Sequence, residues 1–242
     1  MVTAAFSVTN LGRLGYEPAF AAQQAAHARV LAARDGVTSG VGELLLVEHD
    51  PVITISNRVG AEANLLATPV LLERHGVVVA RTDRGGDITY HGPGQLVAYP
   101  ILDLNLLNLG LHDYMRLLEE SVIRTCRDFG IETMRDPAAT GVWTVRDGRP
   151  FAKIAAMGVR VRRWVSMHGL ALNVDTNLDH FKLIVPCGLV GRPVTSLKQE
   201  LGERAPTFAQ VREVFVALFG ALLDDAMVTA KSRRAAQQSL EP

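Results

Sequence analysis

One stretch, residues 84–104 (RGGDITYHGPGQLVAYPILDL), constrains this chain more than any other. Its first half gathers Gly85, Gly86, Gly92, Pro93 and Gly94 around a Thr-Tyr-His triplet. Glycines let a backbone turn sharply and approach a neighbour with no Cβ in the way, and the proline stiffens the same turn. The second half, through Leu96, Val97, Ala98 and Tyr99, is apolar and reads as a strand. A polar glycine loop running into such a strand predicts a binding loop held by a rigid sheet. Two other segments, residues 153–158 (KIAAMG) and 186–188 (PCG), are expected to meet this loop and complete one site.

A chain of 242 residues is long enough for one sizeable α/β core. Its 25 basic and 25 acidic side chains cancel, so no global field argues for nucleic acid or an anionic membrane as partner. No apolar run approaches the length of about 18 residues that a membrane span needs. The N-terminus lacks the basic start and apolar middle of a secretory signal. Cys126 and Cys187 lie in such different settings that no disulfide is expected, and a reducing cytoplasm fits.

In chain order, residues 5–10 read as a short strand and residues 17–34, rich in alanine, as a helix. Residues 43–48 and 52–56 read as strands broken at His49-Asp50-Pro51, and Thr68-Pro69 as the start of a short helix ending at Gly76. A strand over 77–81 leads into the glycine loop. Residues 110–129 form the clearest amphipathic helix, with Leu111, Tyr114, Met115, Leu118, Val122, Cys126 and Phe129 near one face. Strands over 140–145 and 151–161 flank an Asp147-Gly148 turn, and another follows over 164–173. Thr207 is expected to cap a last helix to about Leu223, with Val211, Val214, Phe215, Leu218 and Phe219 inward. The pattern predicts one α/β (α+β) domain over residues 1–230, a mixed sheet flanked by helices, and a polar mobile tail over 231–242. Between Asn173 and Leu197 there is little periodicity, and a stretch of that kind inside a domain points to a function.

Cys187, between a proline and a glycine, sits in a turn where a thiolate would be unobstructed; a small buried hydrophobe is the alternative. Cys126, on the apolar side of a helix, reads as core. Lys153 interrupts an apolar strand, where burial would lower its pKa and suit it to be a base; a solvent-facing strand lysine is the alternative. His91 and His168 can each be a base, an orienting partner or a structural histidine. No HExxH, paired CxxC or GxxxxGK[ST] is present, which argues against a metal and against a Walker-type nucleotide site.

Four motifs in this order resemble the lipoate-biosynthesis octanoyltransferases, also called lipoyl(octanoyl) transferases: residues 84–95 (RGGDITYHGPGQ), 153–158, 168–174 (HGLALNV) and 186–188. The resemblance runs from about Leu44 to Leu197 and implies a fold like that of biotin- and lipoate-protein ligases, with a mostly antiparallel sheet. It implies transfer of an octanoyl group from octanoyl-acyl carrier protein to a lysine on lipoyl domains, such as those of glycine-cleavage H protein or the acyltransferase subunits of 2-oxoacid dehydrogenases, without a cofactor. It makes Cys187 the acyl-accepting nucleophile and Lys153 its activating partner. Arg84, Gly85, Gly86, Asp87, Ile88, Thr89, Tyr90 and His91 would line the substrate site, together with Ala156, Met157, Gly158, Gly169, Leu170 and Ala171. Relatives usually carry a glycine where this chain has Asn57, just before Arg58, so the loop there is expected to differ. Three other activities fit parts of the pattern: an ATP-dependent lipoate or biotin ligase, a Cys-Lys thioesterase, and a catalytically silent acyl-binding protein.

Overall fold

In a computed structural model the described residues are 6–35, 40–185 and 192–238. Strands β1 (Phe6–Leu14), β2 (Gly42–His49), β6 (Gln95–Leu102), β7 (Thr133–Asp136), β8 (Ala139–Arg146), β9 (Arg149–Arg162) and β10 (Val165–Asn173) form a seven-stranded sheet in the order β1-β2-β6-β10-β9-β8-β7. Among the described pairs of this sheet only β1–β2 is parallel. Strands β3 (Val52–Ser56), β4 (Val78–Thr82) and β5 (Ile88–His91) make a second, three-stranded sheet, β4-β3-β5. The mixed, mostly antiparallel α/β architecture is the expected one, but the strands divide into two sheets, because the His49-Asp50-Pro51 break sends β3 away from β2. The glycine stretch is likewise not all loop: its Thr-Tyr-His triplet lies in β5, paired with β3.

Helix α1 (Tyr16–Ala32) covers one face of the large sheet, and α3 (Leu111–Asp128) and α5 (Phe208–Gln238) cover the other. That is why the central strands read as unbroken apolar runs rather than alternating ones. On β2, Leu44 and Leu46 face α3 and α5 while Leu45 and Val47 face α1; on β6, Leu96 and Ala98 oppose Val97 and Tyr99 in the same way. Each leucine and valine among them contributes about 1.5–3 kcal/mol by leaving water. Leu111, in the first turn of α3, is exposed instead of inward. Helix α2 (Pro69–Arg74) is capped by Thr68, whose side chain accepts from the Leu71 N–H at 3.3 Å. Thr207 and Gln210 form a reciprocal capping pair at the start of α5. α5 continues past Leu223 to Gln238, into the segment read as polar tail; Ala230 is buried and Arg234 donates to the Asn105 carbonyl at 2.7 Å. The stretch after Asn173 holds a 3-10 turn over Leu178–Leu183 and a short helix, α4 (Leu197–Leu201). No helix among the described residues is long and apolar enough to cross a membrane.

Gly94 joins the two sheets. Its carbonyl accepts from the N–H groups of Val174 and Asp175 at 3.0 and 2.9 Å and from the Thr176 hydroxyl at 3.0 Å. At φ +78°, with the Asp175 oxygen 2.3 Å from where a Cβ would sit, only glycine fits.

The two tight hairpins differ in their chemistry. Asp147-Gly148 turns β8 into β9 with both φ angles positive, as a two-residue turn matched to strand twist requires. The β9–β10 turn has the same left-handed geometry but is built from Arg163 (φ 52°) and Trp164 (φ 61°). A left-handed placement costs an L side chain roughly 1–2 kcal/mol. The double replacement Arg163→Asn with Trp164→Gly is therefore expected to raise the denaturant midpoint by the equivalent of about 1 kcal/mol with an unchanged slope; an unchanged or lower midpoint would show that the turn carries no strain.

Candidate active site

The middle of β9 and β10, the buried face of β6 and the loop before β5 enclose a pocket of about 490 Å³ of atom-free space, part of it open to solvent. Gly158 and Gly169 are partners in the β9–β10 register, so the two small-residue runs lie side by side as one wall. Both glycines are needed for close backbone contact. A Cβ on Gly169 would fall 2.3 Å from the Ala98 oxygen, and one on Gly158 would fall 2.6 Å from the Gly85 oxygen.

Of the fourteen substrate-site residues expected from sequence, Arg84, Gly86, Asp87, Thr89, His91, Ala156, Met157, Gly158, Gly169, Leu170 and Ala171 line this pocket. Gly85 does not; its N–H donates to the Val159 carbonyl at 2.9 Å and pins the loop to β9. Ile88 and Tyr90 alternate with Thr89 and His91 along β5, so they point to the opposite face, into the core of the small sheet. Tyr16, Val97, Tyr99 and His168 complete the lining. His168 was visible in the sequence as a candidate. Tyr16, Val97 and Tyr99 carried no local signal, because they are brought in by helix α1 and by the face β6 happens to present.

The polar groups of the pocket are held in fixed protonation states. Leu14 offers a carbonyl, which can only accept, so His49 donates to it from Nδ1 (2.9 Å) and accepts a hydrogen bond from the Tyr99 hydroxyl on Nε2 (2.7 Å). His91 donates from Nδ1 to Gln95 Oε1 at 2.7 Å. Gln95 donates in turn to the Tyr90 carbonyl and to Asn173 Oδ1, and Asn173 donates to the Thr195 carbonyl at 2.9 Å. His91 Nε2 is thus left with its lone pair toward the pocket. Burial, helped by the neighbouring His49, pushes the His91 pKa down to about 3. Burial also raises Tyr16 and Tyr99, so both phenols stay protonated.

His168 sits inside β10 with φ +57°, turned so that its N–H leaves the ladder and donates to the buried Gln23 Oε1 at 2.8 Å. Its Nε2 meets Asp83 Oδ1 at 2.7 Å, and Phe20 stacks on the ring with centroids 5.6 Å apart. Burial lowers its pKa despite Asp83, so the neutral ring donates to the carboxylate. Asp83 is also paired with Arg160. Arg84 folds beneath the loop and donates to the Thr54 carbonyl and hydroxyl, each at 3.0 Å. At the Asn57-Arg58 departure, the Arg58 guanidinium lies 3.6 Å from Asp87, which also accepts from Asn64 at 2.9 Å.

Lys153 lies three residues before Ala156 on β9, roughly 10 Å along the strand. It is buried, not solvent-facing: 6% is exposed, and Nζ stands 4.8 Å from the centre of the Trp143 ring. Its backbone pairs with the returning chain, N–H to the Pro193 carbonyl and carbonyl from the Thr195 N–H. The pocket's hydrogen-bond chain ends on the same Thr195. Cys187 lies outside the described residues; Pro193, which bonds Lys153, follows it by six positions. Cys126 is fully buried in the α3 core, where burial pushes its thiol up to about 12 and leaves it inert. Among the described residues no cluster of three or more His, Cys, Asp or Glu side chains is placed to hold a metal.

A pocket with small, apolar walls, lined also by neutral histidines and phenols and by Arg84 and Asp87, with a buried lysine on the same strand β9, is suited to an apolar ligand with one polar end. Gly158→Ala would push the Gly85 carbonyl aside and narrow the slot, and binding of an octanoyl ligand is expected to weaken by roughly tenfold or more, as for a misfit in an apolar pocket; calorimetric titration checks this. Buried neutral histidines also set an acid limit. Because the folded pKa of His91 is about 3 against an ordinary 6.5, the unfolded chain takes up a proton that the folded one refuses as pH falls between those values. Stability is expected to fall through that window and to fall less steeply in His91→Gln, by up to about one proton in the slope; urea unfolding at a series of pH values measures it.

Comparison with known proteins identifies the relatives of this site. Residues 15–220 match the lipoyl protein ligase A/B catalytic domain family. An octanoyltransferase of Koribacter versatilis is 46% identical over 227 residues, covering 93% of this chain and 87% of that one. An octanoyltransferase of Geobacter metallireducens is 44% identical over 218 residues, 90% and 93% of the two chains. Among solved structures, a lipoate-protein ligase A bound with ATP superposes with a TM-score of 0.65 at 16% identity, covering 91% of this chain and 85% of that one. A bipartite lipoate protein ligase from Thermoplasma acidophilum gives 0.64 at 18% identity, with 91% and 83% covered; at these identities the likeness is one of fold. With the whole pocket inside the matched span, the chain belongs to the lipoyl protein ligase A/B catalytic-domain family and, within it, to the octanoyltransferases.

Proposed function

We propose that this protein transfers an octanoyl group from octanoyl-acyl carrier protein to a lysine of a lipoyl domain, through a thioester on Cys187. The observation that carries the reading is the small-walled apolar slot on β9 and β10 with Lys153 buried on the same β9. Burying seven methylenes or so at about 0.8 kcal/mol each supplies several kcal/mol of acyl binding. In the first half-reaction Lys153 accepts the Cys187 proton, the thiolate attacks the donor's carbonyl carbon, and the Lys153 ammonium returns the proton to the departing carrier thiolate. In the second, the neutral Lys153 accepts a proton from the acceptor lysine as that amine attacks the new thioester, and the Cys187 sulfur leaves. The octanoyl amide forms, the proton then passes from Lys153 back to Cys187, and atoms and charges balance over the cycle. The acceptors are lipoyl domains of the kind carried by glycine-cleavage H protein and 2-oxoacid dehydrogenase acyltransferase subunits.

Incubation with octanoyl-acyl carrier protein followed by intact-protein mass spectrometry tests the route. Wild type is expected to gain one octanoyl group that a lipoyl domain discharges, and Cys187→Ala is expected to gain none. Octanoylation of the lipoyl domain by Cys187→Ala at the wild-type rate, or a requirement for ATP with free octanoate, would replace the thioester route with direct transfer or with ligase chemistry.

A further inference from the structure

We propose that Asn173, the last residue of β10, is a positioning residue for Lys153: its side-chain amide holds residues 193–195 against β9, and those residues fix the lysine's backbone. This rests on the reading above that Lys153 exchanges the protons of the transfer, and adds what keeps the lysine in place.

The two strands that wall the pocket part just before the lysine. β9 and β10 pair from Arg162 with Val165 as far as Ala155 with Leu172, and there the ladder stops. Past that fork the returning chain takes the place of β10. Val194 bridges to Lys153 in parallel register, the Lys153 N–H donates to the Pro193 carbonyl at 2.9 Å, and the Thr195 N–H donates to the Lys153 carbonyl at 3.0 Å. Asn173 stands in the fork. Its backbone stays in register with Gln95 of β6, while its side chain crosses the gap and donates to the Thr195 carbonyl at 2.9 Å. On the lysine's other flank Trp143 of β8 is its register partner, and Gly141 leaves room for the stem, since a Cβ there would fall 3.2 Å from Lys153 Cε.

The chemistry of this join needs an amide. Asn173 Oδ1 accepts from Gln95 Nε2 at 2.9 Å and Nδ2 donates to Thr195, so one side chain must present an acceptor and a donor at the same reach. Gln95, Asn173 and Thr195 are all buried, so no solvent is at hand to replace a lost partner. Proton transfer tolerates little displacement, because donor and acceptor must come within roughly 2.6–3.2 Å. A backbone shift at residue 153 is carried along the lysine stem to Nζ. Asn173 does not line the pocket, so its effect on the reaction runs through Lys153 and not through the acyl chain.

The variant Asn173→Asp, made in the full chain, separates the two halves of the join. A carboxylate still accepts from Gln95, but it sets a second acceptor against the Thr195 carbonyl. With octanoyl-acyl carrier protein and a lipoyl domain as substrates, kcat is expected to fall about tenfold to a hundredfold, as for a misplaced reacting group. The donor KM and the calorimetric affinity for an octanoyl ligand should stay within about twofold of wild type. Alkylation of Cys187 by iodoacetamide, located by peptide mass spectrometry, reads the lysine's action on the thiol without any substrate. Asn173→Asp should slow it toward the rate of Lys153→Met, and the double variant should be no slower than Lys153→Met alone. Asn173→Leu, which buries no charge, should behave likewise and serves if Asn173→Asp does not fold. Wild-type kcat in either folded variant overturns the proposal. So does a loss confined to KM, which would make Asn173 part of the binding site. A double variant slowed by the product of the two single effects also overturns it, because Asn173 would then act apart from the lysine. Equal alkylation of wild type and Lys153→Met is a different failure: it removes the lysine from the transfer reading itself, and the positioning with it.

Discussion

The site depends first on the close backbone contact at Gly94, where the two sheets meet. Three donors from the chain leaving β10 converge on one carbonyl, and the Gly94 N–H is taken by Glu48 at 2.8 Å. This clamp fixes β5, carrying Thr89 and His91, against β10, carrying the Gly169–Ala171 wall. Pairing within either sheet could not do it, because neither sheet contains both strands. The pocket is the seam left between them, and a side chain at Gly94 would open it.

Within that seam the polar groups form chains in which almost every proton has an assigned place. A buried network that is fully satisfied rigidifies its surroundings, whereas a partly satisfied one is costly. Here the carbonyl of Leu14, the amide of Gln95 and the carboxylate of Asp83 orient His49, His91 and His168 in turn. Burial keeps these three rings neutral, so they present dipoles and not charges. Arg84, the pocket's cation, is folded back onto Thr54. Exposed guanidiniums lie farther along the chain, at Arg162 and Arg163.

That separation gives the molecule two regimes on one strand. β9 is buried over residues 152–155, where Lys153 packs near Trp143, and exposed where Arg162 begins a turn held in left-handed geometry. Between them lie Ala156, Met157 and Gly158, the wall of the pocket. A fourteen-residue strand is long enough to cross from core to solvent, so one element holds a buried lysine, a pocket wall and the start of an exposed turn.

Interactions within a few residues were legible in the sequence. The Thr68 and Thr207 caps, the Asp147-Gly148 turn, the small residues of the β9 and β10 walls and the burial of Cys126 on a helix face all follow from local chemistry. So did most of the pocket, because its lining comes from short runs of glycine and alanine whose use is close approach. The parity of β5 was not legible, since a segment read as a loop gives no face to Ile88 and Tyr90. Nor was the Arg163-Trp164 turn, whose residues contradict its geometry. By itself the sequence determined the composition of the walls and the ends of the elements, because those depend on backbone freedom and neighbouring side chains. Only the tertiary structure decided that β2 and β3 part into different sheets, that Tyr16 and Tyr99 reach the pocket and that Lys153 is buried, because each depends on contacts between strands and helices far apart in the chain.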